Sequence, residues 1–185
     1  MEAKQGTSLI GSRRAQGGER TFHAVNPATG EKLSPAYYVA RREDIDAACR
    51  LAHDAFATFS RLPGRKRAEF LRKIAERIEA IGPALVETAV RETALPAGRL
   101  QGETARTCGQ LRLFAQVLEE GSWVEARIDT ADPNRKPAPK PDIRSMYRPL
   151  GPVVVFGASN FPLAFSVAGG HTASSFAAGT PVIVK

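Results

Sequence analysis

The sequence predicts an α/β chain in which a helical layer comes first, an extended arm follows, and a parallel sheet begins at the end. Three observations predict this. Apolar residues recur at helical spacing between about residues 43 and 120. From Trp123 the period switches to two. The closing stretch "GPVVVFGASNFPLAFSVAGGHTASSFAAGTPVIVK" then reads as strand, turn, helix and second strand, the βαβ unit of a parallel sheet.

Residues 1–20 are polar and Gly-rich and are expected to form a loose leader. "TFHAVNPATGEKL" reads as two short strands around a turn, with Asn26-Pro27 opening it and Gly30 able to supply positive φ. From Glu43 to Phe59 the positions Ile45, Ala48, Cys49, Ala52, Ala55, Phe56 and Phe59 mark one inward helix face. "RLPG" breaks it. A second helix is expected from about Arg65 to Ile81, with Ala68, Leu71, Ile74, Ala75, Ile78 and Ile81 inward. Gly82-Pro83 stops it. A short helix over about 83–91 and a long one over about 97–120 follow. The long one carries Leu100, Thr104, Cys108, Leu111, Ala115 and Leu118 on one stripe.

"WVEARIDT" alternates as a strand with two different faces. "ADPNRKPAPKPD" has four prolines in twelve residues and is read as an extended link. "IRSMYRPL" is the returning strand, so the pair forms an arm reaching away from the helices. Val153 to Phe156 are apolar without alternation, the pattern of a strand buried on both faces. Pro162 suits the first turn of a helix, which is expected to run to about Ala178 and to end at Gly179. "TPVIVK" opens the next strand. This gives three parts: a helical part over 1–121, the β-arm over 122–148, and an incomplete strand-helix-strand over 149–185.

Composition narrows the function. Apolar content is 43% and charged content 24%, as in ordinary globular proteins. No apolar run approaches the roughly 18 residues of a membrane span, so no membrane partner is expected. The first twenty residues lack the apolar core of a secretory signal, and the expected location is cytoplasmic. The net charge of +7 is spread along helices and interleaved with Glu and Asp, as in "RKRAEFLRKIAERIEA". A solvated face explains it, no aromatic-basic interleaving supports nucleic acid as a partner, and the excess also suits an anionic ligand. Cys49 and Cys108 are far apart, and His23 and His53 have no acidic or cysteine partner arrangement that suggests catalysis, so no metal site is expected.

In a βαβ unit, ligands bind at the carboxyl ends of the strands. The turn Gly157-Ala158-Ser159-Asn160 and Lys185 would therefore face one crevice. Asn160 could present its amide to an oxygen, or simply cap the helix. Lys185 could meet ribose hydroxyls or a phosphate, or simply be solvated. The fingerprint G-x-G-x-x-G is absent.

These residues resemble the aldehyde dehydrogenase superfamily. "PLGPVVVFGASNFPLAFSVAGG" followed by "AAGTPVIVK" is similar to the start of its cofactor domain, and "NPATGE", "RAEFLRKIAERIE" and "RET" fit the preceding part. "GRLQGETARTCGQLRLFA", "DIRSMYRPLGPV" and "FGASNFPLAFS" are most similar to the α-ketoglutarate semialdehyde (2,5-dioxovalerate) dehydrogenase group. The resemblance runs from about residue 20 to 185. It implies the N-terminal portion of that fold: helical layer, protruding β-arm, and the first βαβ of a parallel, Rossmann-like cofactor sheet, truncated.

The resemblance also implies roles. Asn160 matches the asparagine whose amide helps stabilise the oxyanion of the reacting aldehyde. Phe156, Gly157, Ala158, Ser159 and Lys185 match the NAD- or NADP-binding strand end, turn and lysine. Phe161 and Phe165 match positions along the substrate tunnel, with packing of a helix on the sheet as their alternative. Arg106 falls where the substrate pocket is lined and could hold a distal carboxylate; a surface arginine is its alternative. Residues 122–148 match the oligomerisation hairpin, so a homo-oligomer is implied. His171 departs from the pattern, which has an acidic residue there.

The implied activity is NAD(P)-dependent oxidation of a small aldehyde acid, 2,5-dioxopentanoate to 2-oxoglutarate. The nucleophilic cysteine and the water-activating glutamate of the family lie beyond the equivalent of Lys185. Cys49 and Cys108 lie on apolar stripes and are not expected to replace the nucleophile. The expectation is thus a part of a longer enzyme, inactive alone. The alternative is a non-catalytic remnant that binds a nucleotide or a full-length partner.

Overall fold

Two long helices form the centre of the computed structural model, which describes residues 5–15 and 17–185. They are α2 (Gly64–Ala80) and α4 (Ala97–Glu120), flanked by α1 (Arg42–Phe59), α3 (Gly82–Thr93) and α5 (Gly170–Ala178). The stripes read from periodicity explain the packing. Ala68, Leu71 and Ala75 of α2 meet Cys108, Leu111, Ala115 and Leu118 of α4, and Ala173 and Ala177 of α5 close the cluster. Leu71, Leu100 and Leu111 are fully buried, each contributing about 1.5–3 kcal/mol of hydrophobic stabilisation. A smaller cluster joins Val86 and Ala89 of α3 to Leu100 of α4. Small residues let α5 lie close, and Gly179 (φ 99°) ends it in the left-handed conformation.

The charged faces pair across helices. Arg112 forks onto Glu79 at 2.7 and 2.6 Å, and Arg72 forks onto Glu119 at 2.5 and 2.6 Å. The interleaved charge is thus a set of exposed ion pairs between α2 and α4, as the helix-face reading expects.

Strands are short and paired two by two. The first pair, β1 (Leu9–Ile10) with β2 (Arg13–Arg14), is an antiparallel hairpin. This corrects the expected loose leader over its described part: Ile10 and Ala15 are buried, and the hairpin packs on α1. Residues 1–4 and 16 lie outside the description. The expected strand pair around "NPATG" is only a single bridge, Val25 opposite Lys32, with Gly30 at φ 74°. β3 (Thr21–Phe22) pairs instead with β4 (Tyr37–Tyr38).

The arm contains β5 (Arg127–Asp129) paired antiparallel with β6 (Ile143–Ser145), every residue exposed. Trp123 and Val124, expected as strand, lie in a short 3₁₀ turn (Ser122–Val124) that continues from the α4 end with bonds such as Val124 N–H to the Gly121 carbonyl.

β7 (Val153–Val155) and β8 (Val182–Val184) are parallel, Val153 opposite Val182 and Val155 opposite Val184. Of the strand expected to be buried on both faces, Val155 is buried but Val154 is 50% exposed, since the described residues cover β7 on one side only. The α1 stripe is corrected for a similar reason. Ala52 is its one buried member; Ile45 and Cys49 are exposed.

Candidate functional site

The parallel register of β7 and β8 brings their carboxyl ends side by side. The Lys185 N–H donates to the Val155 carbonyl at 2.9 Å, and the Gly157 N–H donates to the Lys185 carbonyl at 3.0 Å. Phe156 and Lys185 therefore leave the sheet together. The Lys185 ammonium lies 5.9 Å from the Phe156 ring centroid, and both residues are exposed. A Cβ on Gly157 would meet Ser166 and Lys185 only at 3.4–3.6 Å. Internal packing therefore tolerates a side chain there, and the bare surface remains open to a ligand. An exposed ammonium beside an uncovered turn suits a ligand bearing phosphate and hydroxyl groups, as a dinucleotide does.

The chain leaves this edge through Ala158, whose N–H donates to the Phe165 carbonyl at 2.9 Å. Here the expected helix over 162–178 is corrected. Residues 159–169 form successive turns, and the helix begins at Gly170 with Gly169 as its N-cap residue. Only one helical turn survives, with the Phe165 N–H donating to the Phe161 carbonyl at 3.0 Å. Side chains of α4 take the neighbouring backbone groups. The Glu103 carboxylate accepts the N–H groups of Leu163 at 3.0 Å and Ala164 at 3.3 Å. The Thr107 hydroxyl donates to the Leu163 carbonyl at 2.7 Å.

Asn160 sits in this turn segment, nine residues before Gly169, and so does not cap α5. Its side-chain amide has no hydrogen-bond partner among the described residues, while its backbone carbonyl accepts from Arg99 Nη2 at 2.7 Å. The side chain is exposed at the mouth of the turn. An unengaged amide on a fixed backbone can donate to an oxygen that gains negative charge.

Next to it the structure brings together three of the sequence-predicted residues. Phe161 and Phe165 meet edge to face, centroids 5.4 Å apart. The Arg106 guanidinium lies 4.9 Å from the Phe165 ring centroid, and Arg99 lies 5.3 Å from that of Phe161. The two arginines differ in chemistry. Arg99 is ion-paired to Glu103 at 3.1 Å. Arg106 is exposed and has no carboxylate partner among the described residues, so its planar fork remains able to take one. Arg99, Glu103 and Thr107 were not singled out by sequence reasoning; their common spacing of four along α4 was the available signal.

Neither cysteine joins this group. Cys108 is 1% exposed, its thiol points at the Ala75 carbonyl at 3.7 Å, and burial pushes its pKa up. Cys49 is exposed on α1, not buried on a stripe. His23 contacts the Leu33 carbonyl through Nδ1 at 2.9 Å, and no cluster of His, Cys, Asp or Glu among the described residues could hold a metal.

The sequence profile of the aldehyde dehydrogenase family matches residues 13–185. An α-ketoglutaric semialdehyde dehydrogenase 2 of Azospirillum brasilense is 54% identical over 97% of this chain and 34% of its own length. An α-ketoglutaric semialdehyde dehydrogenase of Acinetobacter baylyi is 44% identical over 100% of this chain and 35% of its own. The crystal structure of succinate-semialdehyde dehydrogenase from Burkholderia pseudomallei superposes with a TM-score of 0.78 at 25% identity, covering 97% of this chain and 35% of that one. The chain thus spans about a third of the length of these relatives, and its architecture is that of the N-terminal part of their fold.

Proposed function

The chain belongs to the aldehyde dehydrogenase family, and on that premise we propose that, completed to its relatives' length, it oxidises a small aldehyde acid. The substrate we propose is 2,5-dioxopentanoate, converted to 2-oxoglutarate with NAD or NADP. The relatives' names at 54% and 44% identity support the substrate. The observation that carries the reading is the pairing of an unengaged Asn160 amide with an unpaired Arg106 across the Phe161–Phe165 pair.

Each residue has a physical task. Lys185 and the Gly157–Ser159 turn hold the cofactor's ribose and phosphate groups, with Phe156 beside them. The chemistry the cofactor supplies when bound is acceptance of a hydride from the reacting carbon. The Asn160 amide donates to the aldehyde oxygen as negative charge develops there, a preorganised contact that strengthens toward the transition state. Phe161 and Phe165 wall off water. Arg106 grips the distal carboxylate in a bidentate pair and so orients the aldehyde end. The nucleophile and the water-activating base come from the part of the relatives' length that this chain does not span. We assign residues 1–121 and 149–185 to the cofactor domain and the arm over 122–148 to association between copies.

The test uses the protein at its relatives' full length. Cofactor reduction is followed with 2,5-dioxopentanoate and with pentanal, which lacks the carboxylate. We expect strong preference for the acid, and Arg106→Ala should raise KM for the acid about 10- to 100-fold while leaving pentanal unchanged. Equal loss on both aldehydes would show that Arg106 does not read the carboxylate. No turnover of the acid would remove the assignment.

A further inference from the structure

We propose that Glu103 is a positioning residue for Asn160, acting with Arg99 through the backbone of the turn that carries it. The inference rests on the role given to Asn160 above. Arg99, Glu103 and Thr107 are spaced by four along α4 and so share one face of the helix. All three face the backbone of residues 160–164. Glu103 is 5% exposed, and its two oxygens divide the work. Oε1 accepts from Arg99 Nε at 3.1 Å; Oε2 accepts from the N–H groups of Leu163 at 3.0 Å and Ala164 at 3.3 Å. Arg99 in turn donates through Nη2 to the Asn160 carbonyl at 2.7 Å, and Thr107 donates to the Leu163 carbonyl at 2.7 Å.

This arrangement is more than a cap. Residues 159–169 belong to no helix or strand, so their backbone groups need outside partners. A neutral side chain could also have accepted from the two N–H groups, but more weakly than a carboxylate does. A buried carboxylate is costly unless every donor around it is in place, and this one recruits Arg99. The contact Arg99 then makes with Asn160 is at an exposed position, where it adds little stability. What it does fix is the peptide plane that follows Asn160, and with it the Cα from which the side-chain amide projects. Glu103 orients Arg99, Arg99 holds the Asn160 carbonyl, and the Leu163 and Ala164 bonds anchor the far side of the same turn.

The experiment uses the full-length enzyme with 2,5-dioxopentanoate and its nicotinamide cofactor. Glu103→Gln keeps the shape but puts an NH₂ where only an acceptor served. We expect kcat to fall about tenfold with KM within about twofold, the pattern of a contact that matters in the transition state. Amide hydrogens of Leu163 and Ala164 should exchange faster than in the parent protein. The double variant Glu103→Gln with Asn160→Ala should have the kcat of Asn160→Ala alone, since one residue acts through the other. Losses that multiply would overturn the proposal, as would unchanged exchange at both amides. Should Glu103→Gln not fold, Arg99→Gln replaces it in the same cycle, with the same non-additivity expected and multiplied losses again overturning the idea. Absence of turnover in the parent enzyme would remove the functional reading alone, and the exchange rates would still decide the clamp.

Discussion

Gly169 and Gly170 are neighbours with opposite predicted responses to alanine. A Cβ on Gly169 would lie 2.4 Å from the Ala164 carbonyl oxygen, 2.9 Å from the Phe165 Cα and 3.0 Å from the Ala164 carbonyl carbon. All three are backbone atoms, so no side chain can rotate away. The Gly169 backbone is at φ −68°, which any residue adopts, so the cost is contact rather than dihedral strain. Overpacking of this kind costs about 1–3 kcal/mol. A Cβ on Gly170 would meet nothing within 4 Å, and alanine there gains up to about 1 kcal/mol of helix propensity, less in a first turn. Equilibrium urea unfolding, followed by emission of the single tryptophan Trp123, separates the two. Gly169→Ala should lower the midpoint at constant slope, and Gly170→Ala should leave it unchanged or raise it. If Gly169→Ala matches the parent protein, or Gly170→Ala is the worse of the two, the close approach of residues 164 and 169 is wrong.

The thiols should react in two classes. Cys49 should label rapidly with an aromatic disulfide, while Cys108, 1% exposed and held up in pKa by burial, should label only on unfolding. Acid should weaken the α2–α4 interface. Hydrogen bonds from Arg112 and Arg72 hold Glu79 and Glu119 below the ordinary 4.5. Stability linked to them is therefore present above about pH 4.5 and lost as pH falls through the folded values, and Arg112→Gln with Arg72→Gln should flatten that slope in urea titrations. The arm should control association. Ile128 and Ile143 are 67% and 52% exposed on β5 and β6, and changing both to lysine should lower the full-length protein's mass in light scattering; an unchanged mass would remove the arm from the interface.

Long amphipathic helices were legible because their periodicity is local. All six α4 stripe positions are buried as read, and so are Ala68, Leu71 and Ala75 on α2. Periodicity gave α1 a face as well, but nothing in the pattern says what covers a face, and only Ala52 of that one is buried. The two-residue strands β1 and β2 are too short to carry a period, so a buried Ile10 hid inside a polar leader. The misread helix start is the informative case. Gly179 ended the helix as local rules require, yet Pro162 did not begin it. Glu103 and Thr107, about sixty residues away, bind the backbone that a helix would have used. The same residues were invisible as part of the site because a Glu on a helix reads as a solvated charge. Asn160 and Lys185 were proposed from the strand-end rule, which needs only the order of elements, and from resemblance; Arg106 was proposed from resemblance alone.

We propose that the turn after β7 presents Asn160 to the reacting oxygen. Asn160→Ala in the full-length enzyme tests it most directly, with kcat and the cofactor's dissociation constant measured on the same preparation. The kcat should fall by about 10²–10³-fold and the dissociation constant should stay within about twofold, because Lys185 and Phe156 remain in place. A kcat within about threefold of the parent protein would contradict it.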